Sequence, residues 1–368
     1  MFPPARWRRS RVSSRHAGSV LQPAASPGPA ARGRVLVIKR VLVIKHGALG
    51  DLIQAMDAFQ ALRRHHAAVE LVLMTAPAYA ALAQAIPWFD RIWLDKRPRL
   101  HEVGAWWALR KTFLAERFDR VYDLQCSSRT ARYFRMLPRR QRPEWVGAAP
   151  GCSHLNPDFS ASPSNRQKMA AQLAVAGVPA PRPANLSWLT APVGHLGLPE
   201  RFALLVPGCS PHLPHKRWPA QRYGQLALRL AGHGLAAAAV GTGVDRAAID
   251  GVRAAAPGLL DLGGRTTLFE LAAVARRAAV AVGNDTGATF LASAVGTPTL
   301  MLMSSHTDPL VSAPWGPGAR WLKRDDLSEL PVEDVERALP LDAGPLEAGL
   351  FEEGPLDAGL SAIRLGRP

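Results

Sequence analysis

Cysteine is scarce in this 368-residue chain: Cys126, Cys152 and Cys209 are odd in number and nowhere form a C-x-x-C pair. That spacing excludes a disulfide framework and a paired-thiol zinc or redox site, and it points to free thiols in a reducing compartment. No uninterrupted apolar run approaches the roughly 20 residues that cross a bilayer, so no segment reads as a transmembrane helix. Acids are outnumbered, with 29 Asp and Glu against 45 Lys and Arg, for a net charge of +16. Two nucleotide fingerprints are also missing. Without G-x-G-x-x-G and an acid closing the next strand, a nicotinamide dehydrogenase is disfavoured. Without G-x-x-x-x-G-K-S/T, so is a P-loop nucleoside triphosphatase. His212 and His215 stand three apart, but Pro214 interrupts the helix that a metal pair would need, so no metal site and no cofactor are expected. A base-stacking signature and a recognition helix are absent too, which argues against a specific nucleic-acid partner.

The length leads to an expectation of two domains. Residues 1–34 carry seven arginines and no acid. With no hydrophobic period they read as a disordered leader over 1–40, similar to a transit peptide or, more plainly, an extension outside the fold. The motif V-L-V-I-K occurs at 35–39 and again at 41–45, and only the second copy runs into a glycine turn. The end repeats as G-P-L-E-A-G-L (344–350) and G-P-L-D-A-G-L (354–360), an acidic low-complexity tail over 341–368. Between them the body stays basic, and such a field draws anions: nucleic acid, acidic membrane surfaces or phosphorylated small molecules.

From Val41 onward, short β-branched runs alternate with helix-length segments. Strands are expected at 41–45, 71–74, 91–94 and 120–124, with one helix over Asp51–Arg64 whose apolar residues recur at helical spacing. A proline-rich stretch from Pro179 to Pro199 interrupts the pattern and reads as a linker. The alternation then resumes, with strands at 202–208, 236–243, 259–264, 279–287 and 298–303 and helices between them. Strands alternating with helices imply parallel sheets covered on both faces. The expected organisation is therefore an α/β fold with a first Rossmann-like domain at 41–185, a linker at 186–200 and a second at 201–340.

Three turns carry chemistry. In K-H-G-A-L-G-D, Lys45, His46, Gly47 and Gly50 surround a strand-to-helix turn, and Asp51 sits in the first helical turn, where a carboxylate serves as a cap or as a reactive base. P-G-C-S-P-H-L-P-H-K-R-W-P, from Pro207 to Pro219, follows an apolar strand and gathers Ser210, Lys216 and Arg217. Its alternatives are a phosphate grip, in which charge-assisted hydrogen bonds are each worth about 1.5–3 kcal/mol, or a solvated basic loop. V-G-N-D-T-G-A-T places Asn284, Asp285, Thr286, Gly287 and Ala288 between a strand end and a helix start. A plain polar turn is the bland reading, but strand carboxyl ends are where α/β sheets bind ligands.

G-A-L-G-D, K-R-W-P, N-D-T-G with G-T-P-T, then Thr307-Asp308-Pro309 and Pro314-Trp315-Gly316-Pro317, occurring in this order, resemble glycosyltransferase family nine, the heptosyltransferases of lipopolysaccharide assembly. The resemblance spans Val41 to Pro317 and implies a GT-B architecture, two Rossmann-like domains facing across a cleft. It implies inverting, metal-independent transfer of a heptose or related sugar from a nucleotide diphosphate sugar, ADP-heptose first among them, to a lipid-linked glycan such as a lipopolysaccharide core. Asp51 would then be the base and Lys216 would steady the leaving diphosphate. Asn284, Asp285, Thr286, Gly287, Ala288, Ser210 and Asp245 would bind the donor, Asp245 at its ribose. Lys45, His46, Gly47 and Gly50 would form the acceptor-side loop, although family members often carry arginine where this chain has Lys45 and His46. The expected setting is cytoplasmic, at the inner face of the inner membrane, with peripheral contact to an anionic membrane surface. The other readings are a UDP-sugar transferase or epimerase of the same fold, and a nonenzymatic nucleotide or nucleic-acid binder. Arg129, Arg132, Arg135, Arg139 and Arg140 stand for either a phosphorylated acceptor or a solvated helix face.

Overall fold

The computed structural model describes residues 38–156 and 164–341, all within one compact unit that begins at Ile38. The arginine-rich leader up to residue 37 and the acidic repeat from 342 lie outside the described residues.

Among the described residues, twelve strands form two six-stranded parallel sheets. The first sheet has β1 (Arg40–Ile44), β2 (Glu70–Thr75), β3 (Arg91–Leu94), β4 (Arg120–Asp123), β5 (Glu144–Gly147) and β6 (His154–Leu155). The second has β7 (Phe202–Val206), β8 (Ala236–Ala239), β9 (Leu260–Asp261), β10 (Val280–Asn284), β11 (Thr299–Met303) and β12 (Arg320–Lys323). The strand orders, β3-β2-β1-β4-β5-β6 and β12-β11-β10-β7-β8-β9, are the same 3-2-1-4-5-6 winding read from opposite edges. Each sheet therefore reverses direction at one point, between β1 and β4 and between β7 and β10. The crevices at those reversals are where this topology binds ligands.

The helices are α1 (Leu49–Gln54), α2 (Met56–His65), α3 (Ala80–Ala85), α4 (Val103–Glu116), α5 (Ser128–Met136), α6 (Asn165–Ala174), α7 (Ala220–Gly232), α8 (Arg246–Ala255), α9 (Leu268–Arg277), α10 (Gly287–Ala294), α11 (Pro309–Ser312) and α12 (Val332–Arg337). The single helix expected at 51–64 is two helices that meet at Ala55, whose N–H reaches back only three residues, to the Leu52 carbonyl. Strands β5, β6 and β12 were not among the expected ones.

Strand alternation sorts the core. Val41 and Val43 face one layer while Leu42 and Ile44 face the other. Phe202, Leu204 and Val206 from the second sheet join the same apolar cluster as Val41 and Val43, so a single core runs between the halves. The linker belongs to that core. Leu186, Leu189, Val193 and Leu196 are buried, Trp188 packs edge-on against Trp88, and the Arg276 guanidinium donates to the carbonyls of Leu186 and Leu189. Prolines stop regular structure there without loosening the chain.

The halves meet most closely where α1 and α10 cross. A β-carbon placed on Gly287 would sit 2.7 Å from the Cβ of Leu49, and one on Gly50 would sit 2.9 Å from the Phe290 ring. Only hydrogen at both positions permits this approach. Gly287→Ala is expected to lower stability by about 1–3 kcal/mol through overpacking, which denaturant unfolding will measure.

Candidate active site

Each of the three chemistry-bearing turns leaves a strand at a sheet reversal: 45–51 after β1, 207–217 after β7 and 285–287 after β10. The α1–α10 crossing brings the first and third together, because Leu49 touches Gly287.

Asp285 is the point of convergence. Its Oδ2 accepts a hydrogen bond from Lys216 Nζ at 2.6 Å and another from the Thr307 hydroxyl at 2.6 Å. Both acid and base are largely buried, with side-chain exposures of 8% and 17%, so the charge on each stabilises the other in a medium of low dielectric. Three loops are pinned to one carboxylate: 207–217 through Lys216, 285–287 through Asp285 itself, and the segment after β11 through Thr307. Pro214 begins the single 3₁₀ turn Pro214–Lys216 that presents the lysine. Beside this cluster the exposed rings of His215 and His306 lie 3.7 Å apart between centroids, tilted by 39°. Desolvation, then the neighbouring His306 imidazole and Lys216, hold His215 below the usual histidine range.

At the start of α10, Thr286 is the N-cap in extended conformation, and its side chain does not cap the helix. The first-turn amides of Gly287 and Ala288 have no intrahelical acceptor, which makes this end of α10 receptive to an anion. Ser210 is exposed in the 207–217 loop.

Two residues expected at the donor, Asn284 and Asp245, also brace the loops around it. Asn284 is fully buried, and both ends of its amide are occupied. Its Oδ1 accepts from the Trp218 N–H and the Tyr223 hydroxyl, each at 3.0 Å, while its Nδ2 donates to the Pro207 carbonyl at 2.9 Å. Asn284 therefore fixes the 207–217 loop to β10 and offers nothing further to a ligand. Asp245 closes its own turn, accepting from the Thr242 N–H at 2.9 Å and the Thr242 hydroxyl at 2.8 Å. Its other oxygen lies over Gly208, 2.2 Å from where a β-carbon would stand, so Gly208 leaves room for this packing.

On the first half, Asp51 is partly exposed, and its Oδ2 accepts the Ala48 N–H at 3.0 Å. Capping thus uses one oxygen and leaves the other. Asp51 lines a pocket of about 140 Å³ together with Lys45, Leu124, Gln125, Asn165, Lys168, Met169 and Gln172. Lys45 donates from Nζ to the Leu124 carbonyl at 3.0 Å; burial lowers its pKa, with the attraction of Asp51 opposing that shift. His46, expected on the acceptor-side loop, turns inward. Its ring is buried, with Nε2 2.8 Å from Asp95 Oδ2, and the same oxygen accepts the Tyr133 hydroxyl at 2.6 Å. Gly47 has φ +119°, and the Tyr79 ring occupies the space a side chain would take.

Asn165, Lys168 and Gln172 come from α6, and Gln125 from the turn after β4; none carried a motif. Thr307 lay inside the Thr-Asp-Pro signature without an assigned partner. Across the halves, the Arg166 guanidinium bonds Asp57 on α2 and lies 4.7 Å from the Trp315 ring centroid.

Below the pocket, Asp123 is fully buried and accepts the Cys126 and Gln125 N–H groups at 2.9 and 3.2 Å. Burial raises its pKa to about 6, against the lowering effect of those hydrogen bonds. Because the folded pKa is above the unfolded one, the native state holds the extra proton, and stability falls as pH rises from about 4 to about 6. Asp123→Asn keeps an acceptor but cannot titrate. Denaturant unfolding across that window is expected to show a shallower decline with pH for the variant than for the wild type.

A family model described as glycosyltransferase family 9 (heptosyltransferase) matches residues 106–339. No curated protein matches the chain. Among solved structures, a glycosyl transferase family 9 protein from Veillonella parvula superposes with a TM-score of 0.70 at 18% identity, covering 82% of this chain and 95% of that one. ADP-heptose lps heptosyltransferase II of E. coli gives a TM-score of 0.61 at 20% identity, with coverages of 81% and 97%. E. coli heptosyltransferase WaaC with ADP gives 0.64 at 17% identity, with coverages of 81% and 98%. At these identities the likeness establishes the fold, two Rossmann-like halves in the GT-B arrangement. The family match begins after Asp51, so the role of that residue rests on its position in the pocket.

Proposed function

Because the chain belongs to glycosyltransferase family 9, the heptosyltransferase family, we propose that it moves a heptose or related sugar from a nucleoside diphosphate sugar, ADP-heptose in the first instance, to a lipid-linked glycan such as a lipopolysaccharide core. The observation that carries this reading is the meeting of two unlike groups at the α1–α10 crossing. On one side are Lys216 and the uncapped start of α10, which suit a diphosphate. On the other is Asp51, with one oxygen uncommitted and a pocket beside it.

In the reaction, Asp51 takes the proton of the acceptor hydroxyl as that oxygen attacks the anomeric carbon. The bond to the departing diphosphate breaks, and configuration inverts. Negative charge grows on the leaving oxygens, where Lys216, the Thr286 hydroxyl and the amides of Gly287 and Ala288 stabilise it. That stabilisation takes the part a divalent cation plays elsewhere, which makes metal-independent transfer the expectation. Asp285 holds Lys216 in place and, with Thr307, keeps the three loops in register. Ser210 lies on the donor side, and Lys45 and Lys168 supply positive charge to the acceptor side. The E. coli neighbours solved with ADP or named for ADP-heptose favour an adenine nucleotide over a uridine one.

Asp51→Asn separates capping from catalysis, because the amide oxygen still accepts the Ala48 N–H. With ADP-heptose, truncated lipopolysaccharide and a chelator, kcat is expected to fall about 10²- to 10⁴-fold, while stability changes by less than about 1 kcal/mol. Wild-type turnover by this variant would remove Asp51 from the mechanism, and selective binding of UDP over ADP would overturn the donor assignment.

A further inference from the structure

Helix α4 has apolar residues on both sides. Its inward face places Trp106, Leu109 and Phe113 against the core, with Trp106 Nε1 donating to the Arg99 carbonyl at 2.9 Å. The outward face of such a helix is ordinarily polar. Here it carries Val103, Gly104, Trp107 and Ala108, and Lys111 alone supplies charge to that stripe. Val103 is 65% exposed and Trp107 64%, and the preceding loop adds Leu100 at 67%. These three sit within eight residues of one another and form an apolar surface left open among the described residues, with the Arg110 guanidinium 5.5 Å from the Trp107 ring centroid at its margin.

Cations surround that surface. Lys96, Arg97, Arg99 and Lys111 are exposed beside it. Helix α5 and the turn after it add Arg135 and Arg139, and they are tied to the same surface: Arg129 donates to the Pro98 carbonyl at 2.8 Å and Arg110 to the Met136 carbonyl at 3.0 Å. Glu102 is the exposed acid among them, and it accepts the Arg99 N–H. Between residues 96 and 142, thirteen lysines and arginines face four acids.

We propose that the outward face of α4, with the loop from Lys96 to Leu100, is an interfacial docking surface for an anionic lipid membrane. An exposed tryptophan with aliphatic neighbours inserts at the level of lipid headgroups, and a rim of lysine and arginine is drawn to anionic lipids. A second copy of this chain fits poorly as occupant, since a twofold contact would set the same cations against each other. Asp95, immediately before the docking loop, holds His46 next to Gly47. A membrane at this surface therefore lies beside the acceptor side of the cleft, where a lipid-linked acceptor arrives. The inference rests on the acceptor reading for its purpose, while the surface itself is independent of which nucleotide binds. No helix among the described residues is long and apolar enough to cross a membrane.

The test is sedimentation of the full chain with vesicles of phosphatidylcholine alone and of phosphatidylcholine mixed with phosphatidylglycerol. Wild type is expected to bind the mixed vesicles, more weakly as salt rises, with a blue shift of tryptophan fluorescence. Trp107→Ala is expected to lower the partition roughly tenfold, from the apolar area withdrawn, and a Leu100→Ser/Val103→Ser variant is expected to do the same. The arginine-rich leader is present in every variant, so it does not account for a difference between them. ADP affinity is expected to be unchanged in all of these. The proposal is overturned if wild type fails to bind mixed vesicles, if Trp107→Ala binds them as wild type does, or if wild type is a dimer that Trp107→Ala converts to monomer. Failure of the donor reading has a separate signature, loss of ADP binding with vesicle binding intact.

Discussion

The carboxylate of Asp285 receives Lys216 and Thr307 on the same oxygen, from two loops that leave different strands. Taking the cation away leaves a mostly buried negative charge short of its counterion, a penalty of several kcal/mol in proteins; losing the hydroxyl costs a charge-assisted hydrogen bond, about 1.5–3 kcal/mol. The 3₁₀ turn at Pro214, the saturated amide of Asn284 and the packing of Trp218 all serve to keep Lys216 within reach of it. A site that handles a diphosphate needs positive charge fixed before the ligand arrives, because reorganising it during reaction forfeits the electrostatic gain.

The same constraint explains how the halves are joined. If Lys216 and α10 receive the leaving group, the base has to come from the other sheet and stand close. Hydrogen in place of a side chain at Gly50 and Gly287 lets α1 and α10 approach until Leu49 touches the start of α10. Arg166, held by Asp57 and stacked near Trp315, adds a second link across the halves. The shared apolar core makes these contacts part of the fold and not a loose closure of two separate bodies.

Much of this was legible in the sequence, for physical reasons that differ by element. The long parallel strands β1, β2, β7, β10 and β11 announce themselves because burial on both faces demands continuous apolar runs. The turn glycines and Lys216 follow from the strand-to-helix spacing. Short edge strands such as β6 carry too few residues for any period. Side-chain roles inside a motif were harder. Asn284 and Asp285 are adjacent in one turn, yet alternation along β10 sends the first into the core and leaves the second at the cleft. His46 and Lys45 divide in the same way. Long-range partners, Thr307 for Asp285 and the α6 residues around Asp51, have no local signature, since they come together only when the sheets reverse. The exposed side of α4 was also hidden, because the adjacent pair Trp106-Trp107 reads as one apolar unit until the helix turns one ring inward and the other out.

In the proposed reaction a diphosphate is held between Lys216 and the start of α10, facing Asp51. A crystal structure of the chain with ADP bound tests that most directly. The expected result places the diphosphate oxygens within hydrogen-bonding distance of Lys216 Nζ and the amides of Gly287 and Ala288, with Asp51 across the cleft from the β-phosphate. ADP bound in the pocket between Asp51 and Lys168, or away from Lys216 altogether, would contradict it.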